Sequence, residues 1–147
     1  MYYGGLRISE VCGLRVRDLQ PRDEAGQVRV FGKGGQVRIV PLPATAWRDL
    51  EPLRTADPTA PVFRSREGGG SLDPSRVHQI VKAAAARAGL SGKVSAQWLR
   101  HAHISHALGH GAPARLVQVR MGHASLATTS RYARLKPGGS TSCYLPS

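Results

Sequence analysis

Gly32-Lys33-Gly34-Gly35 constrains the folding of this chain more than any other stretch. On one side of it Val28 and Val30 alternate with Gln27 and Arg29; on the other Val37 and Ile39 alternate with Gln36 and Arg38. A period of two belongs to a strand with one buried face, and glycines supply the positive φ that a tight reversal needs. The stretch predicts an antiparallel β-hairpin with Lys33 at its tip, closed by Pro41 and Pro43.

Most of what flanks the hairpin reads as helix. Residues 6–14 predict a short helix that contributes Leu6, Val11 and Leu14 to a core, with Gly13 near its end. Residues 44–55 predict another, bent or broken at Pro52. Residues 57–71, rich in Pro, Gly and Ser, predict a loop with a short strand at Val62-Phe63. Asp73-Pro74 is an N-cap followed by a first-turn proline. The helix it opens extends to about Ala88, stops at Gly89 and carries Val77, Ile80, Val81 and Ala84 on its apolar face. A helix over 97–108 ends at Gly109, and Pro113 opens a third with Leu116, Val117 and Val119 near one face. Ser125 caps a fourth that reaches Tyr132. The expected fold class is α+β, mainly α-helical with a small antiparallel β-hairpin or sheet. One domain occupies 1–136, and a flexible Gly- and Ser-rich tail occupies 137–147.

Charge narrows the partner. Across 147 residues, 21 Lys and Arg against 9 Asp and Glu leave a formal charge of +12, which points to a polyanion, most plausibly nucleic acid. No apolar run approaches the roughly 20 residues that span a bilayer, and no secretory signal precedes the domain, so a membrane role is set aside. Cys12 and Cys143 have neither metal nor redox spacing, so a reduced, cytoplasmic protein is expected. His101, His103, His106 and His110 crowd one predicted helix, but no Cys or carboxylate lies near them in sequence to complete a zinc site. They are expected to pack, to support neighbouring residues and to face nucleic acid.

Four short motifs point to phosphodiester chemistry. They are Gly5-Leu6-Arg7-Ile8-Ser9-Glu10, Gln97-Trp98-Leu99-Arg100-His101, Met121-Gly122-His123-Ala124-Ser125 and Thr128-Thr129-Ser130-Arg131-Tyr132. Arginine forks donate paired hydrogen bonds to phosphate, and preorganised donors of this kind are usually the largest catalytic term. Taken in order from about Tyr2 to Tyr132, the motifs and the hairpin lysine resemble the catalytic domain of the tyrosine recombinases, the phage integrase family.

The resemblance implies the tyrosine recombinase catalytic-domain fold and a site-specific recombinase or integrase activity. Such an enzyme cleaves and rejoins duplex DNA through a 3′-phosphotyrosyl intermediate, without metal or cofactor. It implies that Arg7, Lys33, Gln97, Arg100, His123 and Tyr132 occupy the catalytic positions, with Glu10 and His101 supporting them. Glu10, three residues after Arg7, is expected to share its helix face and orient it. Arg7, Lys33, Arg100 and Arg131 are implied DNA contacts, the partner is double-stranded DNA, and a homo-oligomer on DNA is possible.

The chain departs from the family pattern in two ways. Gln97 stands where the family's His-x-x-Arg motif has histidine; an amide can donate to phosphate but carries no charge. The N-terminal DNA-clamping domain and the first helix of the catalytic domain are expected to be missing, with Met1-Tyr2-Tyr3-Gly4 as that helix's last residues. Both departures keep open a non-catalytic, basic DNA-binding remnant. A basic RNA-binding module is a third reading, disfavoured by the 5% aromatic content, which is poor in base-stacking platforms.

Overall fold

The computed structural model of the chain describes residues 1–90, 92, 94–121 and 145. The hairpin forms as expected: strand β2, Ala25–Phe31, and strand β3, Val37–Leu42, pair antiparallel across a one-turn 3-10 helix at Lys33–Gly35. Gly34 and Gly35 both have φ +75°, which accounts for the glycines. A further strand, β1, Leu19–Arg22, pairs antiparallel with β2 and makes a three-stranded sheet of order β1-β2-β3. Its sequence, Leu-Gln-Pro-Arg, is too short and polar to announce a strand. Pro41 does not close the hairpin but lies inside β3; that strand is at the sheet edge, where a missing N–H is tolerated.

The phase of β3 differs from the apolar pattern. Val37 and Ile39 are 51% and 37% exposed, whereas Arg38 turns inward with Val40 and Leu42. The inward arginine has a buried acidic partner, described below. In β2 the expected phase holds: Val28 and Val30 are buried, and Val28 pairs with Val40. Helix α1, Ile8–Gly13, precedes the sheet, and α2, Ala44–Leu50, follows it, tightening to a 3-10 turn at Glu51–Leu53 where Pro52 intervenes. Leu6, Val11, Leu14, Val28, Val40 and Trp47 belong to the core between these elements. Trp47 lies so close over Gly26 that a Cβ there would sit 2.1 Å from its ring. The 57–71 segment is mostly turn and bend; Val62 is buried, and only isolated bridges form beside it.

Three longer helices complete the described fold. Helix α3, Pro74–Arg87, starts where Asp73 accepts the Ser75 N–H at 2.8 Å. Of the predicted face, Val77 is buried and Val81 half-buried, and Ala85 completes the stripe, whereas Ile80 and Ala84 point outward. The i, i+4, i+8 rows meet the neighbour here. Helix α4, Ala96–Gly109, is capped by Ser95, and α5, Ala114–Met121, buries Ala114, Val117 and Met121 while Val119 is 63% exposed. α3 packs against α1 and α4, and α4 against α5. A second core, including Ile104, Leu108, Val117 and Met121, lies between α4 and α5, and Leu145 packs on it. The predicted fourth helix and the remainder of the tail lie outside the described residues. No described helix is long and apolar enough to cross a membrane.

Candidate functional site

Arg7 is not inside a helix. It is the N-cap of α1, with extended backbone, and its side chain is exposed. The expectation that Glu10 orients the Arg7 side chain along a helix face is corrected accordingly. The Glu10 carboxylate accepts the Arg7 backbone N–H at 2.7 Å, which fixes the main chain, and its side-chain partner is another arginine. Arg38 grips that carboxylate with both Nη groups, at 2.7 and 2.8 Å. The pair is nearly solvent-free, with side chains 15% and 4% exposed. Burial alone would raise the Glu10 carboxyl. Hydrogen bonds from Arg38 and the Arg7 N–H, with the charges of Arg38 and Arg100, outweigh it and hold the group below its ordinary value.

Arg100 approaches the same carboxylate from α4, at 4.0 Å. It is buried, and its two Nη groups donate to the main-chain carbonyls of Gly5 and, at 2.7 Å, Met121. Burial, then the nearby Arg7 charge, lowers its pKa to about 10 against the pull of Glu10, so it stays cationic at neutral pH. Gly5 is required at this crossing. Its φ is +59°, and a Cβ would lie 2.2 Å from the Met121 side chain and 2.9 Å from His103.

Arg7, Gln97 and Arg100 line one cavity of about 230 Å³, joined by His78 from α3 and by Ser9. No carboxylate lines it. Arg7 also borders a second depression of about 320 Å³, whose far side is Gly32 and Lys33 at the exposed hairpin tip. The sequence-derived residues Arg7, Lys33, Gln97 and Arg100 therefore sit around two adjoining hollows with Arg7 between them. His101 is exposed and lines neither. His123, Arg131 and Tyr132 lie outside the described residues.

Arg38 and His78 escaped the sequence reading. Arg38 carried a usable signal: it is in phase with Val40 and Leu42, so a charged side chain there needs an internal partner. His78 carried none, because only the docking of α3 beside α1 and α4 brings it to the cavity. The remaining α4 histidines have structural contacts. His103 is fully buried, and its Nδ1 donates to the Tyr2 carbonyl at 2.6 Å. Burial lowers its pKa to about 4, so it is neutral at pH 7. His106 bonds the Tyr2 hydroxyl at 2.8 Å, and the His110 ring bonds the His106 carbonyl at 2.7 Å.

The phage integrase family model matches residues 1–138. The chain belongs to the phage integrase family. Among curated members, tyrosine recombinase XerC of Myxococcus xanthus is 37% identical over 146 residues, covering 92% of this chain and 48% of the relative. The chain spans about half the length of the curated relatives it matches. The crystal structure of XerA recombinase superposes with a TM-score of 0.76 at 26% identity, over 92% of this chain and 50% of that one. XerH site-specific recombinase bound to its difH substrate, in a pre-cleavage complex, gives a TM-score of 0.77 at 24% identity, over 92% of this chain and 41% of that one. This family member has the tyrosine recombinase catalytic-domain fold, mainly helical with a three-stranded antiparallel sheet.

Proposed function

We propose that the chain is the catalytic module, over 1–136, of a site-specific tyrosine recombinase that cleaves and rejoins duplex DNA. The observation that carries this reading is the carboxylate-free cavity shared by Arg7, Gln97 and Arg100, opening beside the Lys33 hairpin, in a chain of charge +12. Two guanidinia around one hollow suit a phosphodiester, whose non-bridging oxygens gain charge as phosphorus is attacked. In this reading Tyr132 is the nucleophile and His123 a further donor to the same phosphate. The Tyr132–phosphorus bond forms as the bond to the 5′ oxygen breaks. Lys33 gives the leaving oxygen a proton, and the phenolic proton passes to solvent, from which Lys33 is recharged. The link stores the phosphodiester energy, so rejoining reverses the step with no metal or nucleotide. His101 and Arg131 support the reacting residues and the DNA contact, and the module works in the cytoplasm, as an oligomer on DNA. The XerH complex with its difH substrate supports DNA as partner.

A nicked duplex that loses its short 5′-hydroxyl fragment after cleavage tests the reading. It is expected to trap a denaturant-resistant protein–DNA adduct without metal or ATP, and Tyr132→Phe is expected to abolish the adduct while leaving non-covalent, salt-sensitive binding nearly intact. The second reading, a non-catalytic DNA-binding remnant, is favoured by two observations: Gln97 in the cavity, and Arg100 spending both Nη groups on main-chain carbonyls. Salt-sensitive duplex binding with no adduct from any of several sites would establish that second reading.

A further inference from the structure

The cavity between α1, α3 and α4 holds one side chain that no motif accounts for. His78 enters from α3 and shares the cavity with Arg7, from the start of α1, and with Gln97 and Arg100, from α4. The two arginines are cationic, Gln97 and Ser9 are neutral, and the other lining residues are Met1, Leu6 and Ile8. Among the described residues lining the cavity, His78 is thus the one imidazole, a side chain that donates a hydrogen bond in either protonation state. Its position is set by the residues just before it on α3. Asp73 caps α3 one turn earlier, and Val77, next in the chain, is buried at 7% exposure, so His78 itself stays half-buried at the cavity wall.

We propose that His78 is a catalytic residue that donates to the phosphate held by Arg7 and Arg100, supplying from α3 the imidazole donor that Gln97 does not supply from α4. The proposal rests on the recombinase reading above. An imidazole donates a hydrogen bond in both protonation states, and in the protonated state it adds charge where the non-bridging oxygens gain it. The donor transfers no proton in this role, so the bond changes of the Tyr132 step stand as written. The geometry also explains how a glutamine at 97 is compatible with turnover: the cavity contains an imidazole that reaches the same hollow from a different helix.

The test uses single-turnover adduct formation on the nicked duplex, with duplex affinity and thermal unfolding measured beside it. His78→Ala is expected to slow adduct formation by at least about tenfold while affinity stays within about threefold. Gln97→His is expected to bring His78→Ala back to within about threefold of the parent rate. A purely structural role for His78 would not respond to a histidine placed on another helix. Two results overturn the proposal: His78→Ala reacting like the parent, or a loss that Gln97→His does not repair. A parent that forms no adduct overturns the recombinase reading and the catalytic role with it. The His78 ring signal in NMR, assigned by its loss in His78→Gln, then decides the phosphate contact on its own. A shift on adding duplex DNA supports that contact, and an unmoved signal overturns it.

Discussion

Glu10 is the residue on which the site turns. Its carboxylate is buried, takes two hydrogen bonds from Arg38 and one from the Arg7 N–H, and lies 4.0 Å from Arg100. One acid thus ties the hairpin, the start of α1 and α4 together, and lets cationic groups gather without mutual repulsion dispersing them. Removing one partner of such a pair is costly, because the remaining charge stays buried and uncompensated. Arg38→Met is expected to destabilise the fold by about 3 kcal/mol. Combining it with Glu10→Gln should recover part of that loss, since no charge is then stranded. Urea unfolding of the two single variants and the double variant measures the coupling. Additive losses would mean that the pair is not the connection described. Arg7, Gln97 and Arg100 were legible as candidates from local motifs, whereas Arg38 showed only its phase in β3, because its partner lies 28 residues away.

At the scale of elements, the hairpin separates function from stability. Lys33 is exposed at the turn, and the turn's own residues bury nothing. The strands below it are held by Val28, Val30 and Val40. Lys33→Ala is therefore expected to leave the melting temperature within about 2 °C of the parent, since exposed substitutions rarely exceed about 0.5 kcal/mol. Adduct formation on the nicked duplex should nonetheless fall by about a hundredfold, the usual range for losing a general acid. Equal adduct rates with and without Lys33 would remove it from the reaction. Helix boundaries were legible where local signals announced them, as at Asp73, the N-cap of α3, and at Gly109, the last residue of α4. Helix faces were not: in α3 and α5 the apolar residues outnumber the positions that reach a neighbour, and packing selects Val77 and Val117 over Ile80 and Val119.

Across the whole molecule, acid sensitivity comes from groups buried where the N-terminal segment meets α4. His103 is fully buried with a pKa lowered to about 4, against about 6.5 in an unfolded chain. Between those values the unfolded chain takes up a proton that the folded one refuses. The His103 contribution is thus fully present above about pH 6.5 and declines as pH falls toward 4, by roughly 3 kcal/mol in all. Glu10 adds to the decline: its folded pKa is depressed, so its contribution is present above the ordinary carboxylate range and is lost at lower pH. Urea midpoints at pH 7 and pH 5 measure the slope, and His103→Gln, whose amide can still donate to the Tyr2 carbonyl, should flatten it. An unchanged slope in that variant would assign the acid sensitivity to other groups. The amino-acid sequence by itself determined the features that depend on near neighbours: the hairpin and its lysine, the caps, the ordered motifs and the positive charge. Turn φ angles and cap hydrogen bonds are settled within a few residues, so composition and spacing reveal them. Which charges are buried, and what they face, follows from packing between distant segments. Arg100 meets the Gly5 carbonyl across 95 residues of chain, and His78 meets Arg7 and Gln97 only because three helices converge. Burial is a property of what the rest of the chain brings to a side chain, and no local pattern encodes it.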